Sequence, residues 1–237
     1  MDWIIRVDTR TGNVRKERAT SEELGWGGRL LVAKVLLREV PPTCEPLGRH
    51  NKLLFACGLL ADAPITTTGQ LSVGGKSPLT GGVKESNVGG FAGKRLARLG
   101  VRALILEDSP KLPSCRTLYV STGKVELVDA PELRRLWVGD TFKALRTRYG
   151  KAAGLIAIGP AGEMLMYGAG VAVSDDEDVQ VRYAARGGLG ALMGSKGIKA
   201  VVIDDSGAEP PAFADRELLM RGARALVDGL MSDPKTE

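Results

Sequence analysis

The sequence has few aromatic residues, few cysteines and a single histidine. Aromatics make up 5% of its 237 residues, and the 33 basic residues are scattered along it, so it lacks the stacking platforms and basic clusters of nucleic-acid binding. Cys44, Cys57 and Cys115 are an odd number, lie far apart and include no C-x-x-C pair. That pattern speaks against a disulfide framework and against a local zinc or iron–sulfur site. No apolar run reaches the roughly 18 residues of a membrane span. The start, Met1 to Arg10, lacks the basic and long apolar stretches of a signal peptide, and the expected compartment is the cytoplasm. His50 stands in the polar loop Gly48-Arg49-His50-Asn51 with no partner motif and reads as solvated. Asp175-Asp176-Glu177-Asp178 lacks the alternating ligands, turn glycine and closing glutamate of a calcium loop, and reads as a charged loop.

Glycine is what the sequence has in excess: 31 residues, about 13% against an average near 7%. The formal net charge of +5 and the pI near 9.2 favour an anionic ligand or partner. With 43% apolar and 26% charged residues, the chain is expected to form one or two globular domains.

Alternation at Trp3, Ile5 and Val7, the turn Thr11-Gly12-Asn13 and the return at Val14 predict a hairpin. A helix start follows at Ser21, with an apolar stripe of Leu30, Leu31, Lys34, Val35 and Leu37 that stops at Pro41-Pro42. Leu53 to Cys57 reads as a buried strand, and Gly58 to Gly90 as mostly exposed or ligand-facing loop with one strand-like insert, Gln70 to Val73. Phe91 to Leu99 reads as a helix and Ala103 to Leu106 as a strand. A second hairpin pairs Thr117–Val120 with Val125–Val128, helical text runs from Pro131 to Tyr149, and Leu155–Ile158, Tyr167–Val173 and Ala200–Ile203 read as strands. Met164 and Met166 read as core or hairpin residues. Residues 207–214 read as a linker, and Asp215 to Met231 as a helix with an apolar stripe in need of a surface to cover.

One internal comparison says more than any single element. Leu53-Leu54-Phe55-Ala56-Cys57-Gly58 returns as Leu155-Ile156-Ala157-Ile158-Gly159, and Gly89 through Leu106 returns as Gly187 through Ile203. The expected fold is therefore a duplicated α+β unit with a pseudo-twofold axis, its repeats spanning about 1–108 and 115–206. In each repeat a glycine doublet, Gly89-Gly90 or Gly187-Gly188, opens a helix. Such loops suit a phosphate, because helix N-termini expose unpaired N–H groups and glycine allows close approach. They suit close helix–strand packing equally well. Lys76 and Ser77 likewise suit either approach to a phosphate or a role in structuring their loop. No P-loop or dinucleotide fingerprint accompanies the glycines.

Seven motifs in order carry a resemblance: Gly25-Trp26-Gly27-Gly28-Arg29, Glu39-Val40-Pro41-Pro42, Pro46-Leu47-Gly48, Lys76-Ser77-Pro78-Leu79-Thr80-Gly81-Gly82, Ser86-Asn87-Val88-Gly89-Gly90-Phe91, Ile158-Gly159-Pro160-Ala161-Gly162-Glu163 and Arg186-Gly187-Gly188-Leu189-Gly190-Ala191-Leu192-Met193-Gly194-Ser195-Lys196. The text resembles the N-terminal domain of tungsten-containing aldehyde:ferredoxin oxidoreductases. The resemblance implies two β-sheets forming a saddle with flanking helices under a bis-pterin cofactor of tungsten (or molybdenum), with magnesium bridging the pterin phosphates. It assigns residues 1–206 to the cofactor-binding domain and 207–237 to a linker and the start of a further domain.

By the same resemblance, Gln70, Asn87, Gly89, Arg182, Tyr183, Ala185, Arg186 and Gly187 bind the cofactor, and the backbone carbonyls of Asn87 and Tyr183 hold the magnesium. Gln70 stands where the family has a phosphate-binding arginine, and Ala185 where it has glycine. The family's C-x-x-C-x-x-x-C cluster motif is not in this sequence. The resemblance thus implies no catalytic residue here, and a partner chain with the iron–sulfur cluster and catalytic domains. The implied activity is oxidation of an aldehyde to a carboxylic acid, with electrons passed to ferredoxin or another carrier. The alternatives are a non-catalytic scaffold or pterin carrier of the same fold, and a module for another anionic metabolite. Alone, the chain is expected to oligomerise through the apolar surface that a cofactor and partner would cover.

Overall fold

Strands buried on both faces read as continuous apolar runs, and such runs form the middle of each of the two sheets. In the computed structural model, which describes residues 1–175 and 181–235, the first sheet contains β1 (Trp3–Asp8), β2 (Val14–Arg18), β3 (Leu53–Cys57), β4 (Leu71–Lys76), β5 (Val83–Val88) and β6 (Val101–Glu107). The second contains β7 (Arg116–Ser121), β8 (Val125–Asp129), β9 (Gly154–Ala157), β10 (Val171–Ser174), β11 (Val181–Ala184) and β12 (Ile198–Asp204). The helices are α1 (Ser21–Leu24), α2 (Gly28–Glu39), α3 (Ala92–Arg98), α4 (Val138–Tyr149), α5 (Pro160–Glu163), α6 (Leu189–Ser195) and α7 (Arg216–Ser232).

The duplication is visible in the connectivity. Spatial order is β2-β1-β6-β3-β4-β5 in one sheet and β8-β7-β12-β9-β10-β11 in the other, the same path twice. Each has one parallel pair, β1 with β6 and β7 with β12, and each of these pairs shifts register at one end, beside Gly100 or Gly197. Both glycines have positive φ, 73° and 68°, a turn conformation that L side chains resist.

Side-chain alternation sorts each strand between two cores. Ile5, Val7, Phe55, Leu104 and Leu106 of the first sheet join Leu118, Val120, Ile156, Val201 and Ile203 of the second in a shared central core. Helices α3 and α6 lie in that core and touch both sheets. The opposite faces pack on one long helix each: Ile4, Leu54, Ala103 and Ile105 on α2, and Leu155, Ala157, Ala200 and Val202 on α4.

Several expectations are corrected. In α2 the buried stripe is Leu31, Val32, Val35 and Leu36, whereas Leu30 and Leu37 face solvent. Residues 58–90 hold more strand than the single insert expected: the β4–β5 hairpin runs through them, with Leu71 to Gly75 buried, while loop residues on either side of it line hollows. The helical text from Pro131 splits into a 3-10 turn at Pro131–Leu133 and α4. The strand expected from Tyr167 begins at Val171, and Met164 and Met166 are exposed. Helix α7 does form, with Asp215 capping it through the Leu218 N–H at 2.8 Å, but only Ala223 is buried. Asp176 to Asp178 lie outside the described residues, and His50 is exposed as expected.

Candidate anion-binding site

β5 and β11 close the two sheets on one side and lie near each other. Each pairs with only one neighbour, β4 or β10, so alternate backbone carbonyls along each outer edge have no ladder partner. Asn87 stands opposite Ser72, one residue before the end of β5, and Tyr183 stands opposite Ala172, one residue before the end of β11. The two residues expected to contribute carbonyls therefore hold the same register position in the two repeats. Both side chains are exposed, and the terminal strand residues beside them, Val88 and Ala184, are buried.

Two hollows adjoin this seam. One, of about 560 Å3, is lined by Gln70, Gly89, Gly90, Lys94, Asp175 and Arg182, together with residues of the 63–69 loop. The other, of about 600 Å3, brings Gln70 and Asn87 beside Gly27, Gly28, Arg29 and Leu59. The structure thus unites Gln70, Asn87, Gly89 and Arg182, residues more than 100 positions apart in the chain at the extremes. Tyr183, Ala185, Arg186 and Gly187 line neither hollow; the first three are exposed along the same seam and Gly187 is buried.

The glycines divide between packing and ligand approach. Gly90 has φ 101°, and a Cβ there would meet the Ser174 carbonyl oxygen at 2.7 Å. Gly187 has φ 88° under the Lys84 side chain, and Gly188 has φ 72° against the Tyr167 carbonyl. Protein packing explains these three. A Cβ on Gly89 would meet nothing within 4 Å, so close packing does not account for it, and its open backbone suits a ligand. Ala185 does not have positive φ, so alanine replaces glycine there without backbone strain.

The helix starts are not free cradles. The Phe91 N–H before α3 donates to the Ser174 carbonyl at 3.2 Å, and the Gly190 N–H in α6 donates to the Ala169 carbonyl at 2.9 Å. Ser77 is buried and its Oγ donates to the Gly187 carbonyl at 2.7 Å, while Lys76 Nζ donates to the carbonyls of Pro42 and Cys44, both at 2.6 Å. Ser77 and Lys76 therefore structure loops. Each repeat braces the other's glycine doublet, Ser174 at Gly90 and Ser77 at Gly187.

The charge around the seam is basic. The side chains of Arg182 and Lys94 have no hydrogen-bond or ion-pair partner among the described residues, and Arg29 pairs with Glu85 at 3.1 Å. Asp175 is the acidic wall residue and is engaged by other groups. Open backbone at Gly89, edge-strand carbonyls and unpaired cations form a donor set suited to a phosphorylated ligand with a bound cation. Among the described residues no cluster of His, Cys, Asp and Glu could hold a metal ion, so backbone oxygens would have to supply the protein's ligands. All three cysteines are free, and burial pushes the Cys57 thiol up to about 12, which makes it inert. Lys94 escaped the sequence reading. Its only local signal is a lysine in the first turn of a helix, where acidic residues are favoured.

Fold and site together define a duplicated α+β domain that presents a basic, glycine-lined seam between two sheet edges. Residues 4–205 match the family described as aldehyde ferredoxin oxidoreductase, N-terminal domain, and the chain belongs to that family. It is 37% identical to the tungsten-containing aldehyde ferredoxin oxidoreductase of Pyrococcus furiosus, over 97% of this chain and 37% of that protein. The enzyme of the same name from Thermococcus kodakarensis is 36% identical over the same shares. The chain therefore spans a little over a third of the length of these relatives. Among solved structures, the active site complex BamBC of benzoyl coenzyme A reductase, in complex with 1,5-dienoyl-CoA, is similar, with a TM-score of 0.89 and 30% identity over 97% of this chain and 34% of that one. No helix among the described residues is long and apolar enough to cross a membrane.

Proposed function

We propose that this chain is the pterin-binding part of a cytoplasmic tungsten (or molybdenum) oxidoreductase of the aldehyde:ferredoxin oxidoreductase type. The observation that supports it most directly is the matching placement of Asn87 and Tyr183 on neighbouring edge strands, beside the open backbone of Gly89 and an Arg182 side chain without a partner among the described residues. In this reading the backbone carbonyls of Asn87 and Tyr183 would hold a magnesium ion beside the phosphate groups of the cofactor. Arg182 and Arg186 would bind phosphate oxygens, Gln70 would donate an amide hydrogen bond, Gly89 and Ala185 would let backbone approach the ligand, and Gly187, packed under Lys84, would shape the loop that carries them. When bound, the metal centre supplies oxidation of an aldehyde and water to a carboxylic acid, with release of two protons and two electrons to an iron–sulfur cluster on a partner chain. This chain contributes no acid or base to that step; it binds and orients.

Purifying the protein with its partners and measuring tungsten, molybdenum and pterin tests the reading. Metal and pterin in stoichiometric amounts are expected, and a complex with neither overturns it. A second reading, a non-catalytic carrier with weakened binding, is favoured by the neutral Gln70 on the cavity wall. A large rise in pterin retention in Gln70→Arg would support that reading over the first.

A further inference from the structure

Lys94 is the third residue of α3, in a first turn with no acidic residue. A cation there opposes the helix dipole and is destabilising unless an anion compensates it. Among the described residues none does: the Lys94 side chain has no ion-pair or hydrogen-bond partner there. Packing fixes its place. The helix start lies on the backbone of residues 69 and 70, so closely that a Cβ on Gly93 would meet the Gly69 carbonyl oxygen at 2.6 Å and that of Gln70 at 3.2 Å. The Lys94 Cβ is in turn 3.6 Å from where a Cβ on Gly69 would stand. Lys94 is thereby held on the wall of the 560 Å3 hollow that also holds Gln70, Gly89 and Arg182. A residue that breaks a local rule, without structural return and facing a cavity, points to a ligand.

We propose that Lys94 and Arg182 form a two-point clamp for a phosphate group in this hollow, Lys94 supplying the positive charge that the neutral Gln70 does not. The proposal rests on the reading of the seam as a phosphorylated-cofactor site and adds to it a residue on a different element. Two separated cations on opposing repeats, Lys94 on α3 and Arg182 on β11, suit a dianionic phosphate held across the seam better than a monoanion held by one side.

The test uses the full chain with inorganic phosphate and pyrophosphate as probes, read by calorimetry and by the ligand-induced shift in unfolding temperature. Lys94→Gln is expected to weaken binding of both probes about tenfold, and Lys124→Gln, outside the lining of the hollow and paired with Glu126, to leave it unchanged. Adding Gln70→Arg to Lys94→Gln is expected to restore most of the lost affinity. A purely structural lysine would lower the unfolding temperature on replacement, whereas the clamp predicts that Lys94→Gln raises it without phosphate and shrinks the shift with phosphate. Unchanged affinity in Lys94→Gln, with the wild type binding, overturns the clamp alone. No binding by the wild type overturns the clamp, and absence of metal and pterin from the purified complex separately overturns the cofactor reading beneath it.

Discussion

The two repeats have one topology and different chemistry at matching positions. In the first, Arg6 of β1 bonds to Glu107 of β6 at 2.6 Å and to Glu39, the last residue of α2, at 2.8 Å. In the second, the corresponding strands carry Tyr119 and Asp204, hydrogen-bonded at 2.7 Å, and Tyr119 stacks on Tyr149, the last residue of α4, with centroids 5.2 Å apart. An ion-pair network joined by Lys52 has become an aromatic stack with one hydrogen bond. Elsewhere the chemistry persists: the buried Arg102 donates to the Trp26 carbonyl ahead of α2, and the buried Lys199 to the Leu136 carbonyl ahead of α4. The backbone geometry constrains both repeats alike, while any side-chain set that satisfies its own polar groups can tie sheet to helix.

The largest effects should come from the backbone contact the repeats share. A Cβ on Gly190 would overlap the carbonyls of Ala169 and Gly170, as one on Gly93 would meet those of Gly69 and Gln70. Gly190→Ala is expected to cost about 3 kcal/mol and Gly93→Ala about 2 kcal/mol, both read by urea unfolding. Equal, negligible costs would mean that the contacts are not tight. Next is Arg6→Met, which leaves the half-buried Glu39 and Glu107 with Lys52 as the cation they share and should cost just under about 2 kcal/mol at neutral pH.

These glycines also show what the sequence made legible. The apolar runs of β3, β6, β9 and β12 and the repeated text around them were readable, because strands buried on both faces need continuous apolar residues. The β4–β5 hairpin was not, since Ser72, Gly74 and Gly75 are small or polar residues buried by close approach of other elements. β11 carries Arg182 and Tyr183 as an edge strand and resembles a loop. Helix α2 is apolar on more than one side, so the wrong stripe, with Leu30 and Leu37, was as plausible as the buried one. At the site, Asn87, Gly89 and Arg182 were accessible through repeated glycine text and family resemblance, whereas Lys94 needed the tertiary placement of α3 against residues 69 and 70.

The acid side of the pH profile should separate the repeats. Burial alone would raise Glu39 and Glu107, but hydrogen bonds and charge from Arg6 and Lys52 hold both below the ordinary carboxylate value of 4.5. A depressed native value means that the unfolded chain binds more protons in this window, so the stability is present above pH 4.5 and lost as pH falls through the native values. The gap between wild type and Arg6→Met should therefore narrow in urea titrations as pH falls from 5 to about 3. A gap constant over that range would mean that the carboxylates are not coupled to Arg6.

Tyr119→Phe should show the smallest loss and a pH dependence that differs in alkali. It removes one hydroxyl donor and keeps the ring on Tyr149, so about 1 kcal/mol is expected at neutral pH. The hydrogen bond to Asp204, with burial and the Asp204 charge adding to it, raises the Tyr119 hydroxyl above its ordinary value of 10.0. A raised native value means that the folded chain holds the proton longer, so this stability is complete below pH 10 and lost as pH rises through the native value. The wild-type advantage over Tyr119→Phe should then shrink in alkali, where that over Arg6→Met does not, since arginine keeps its charge. If both variants respond alike to acid and alkali, the two repeats share a fastening after all, and the contrast between ion pair and aromatic stack fails.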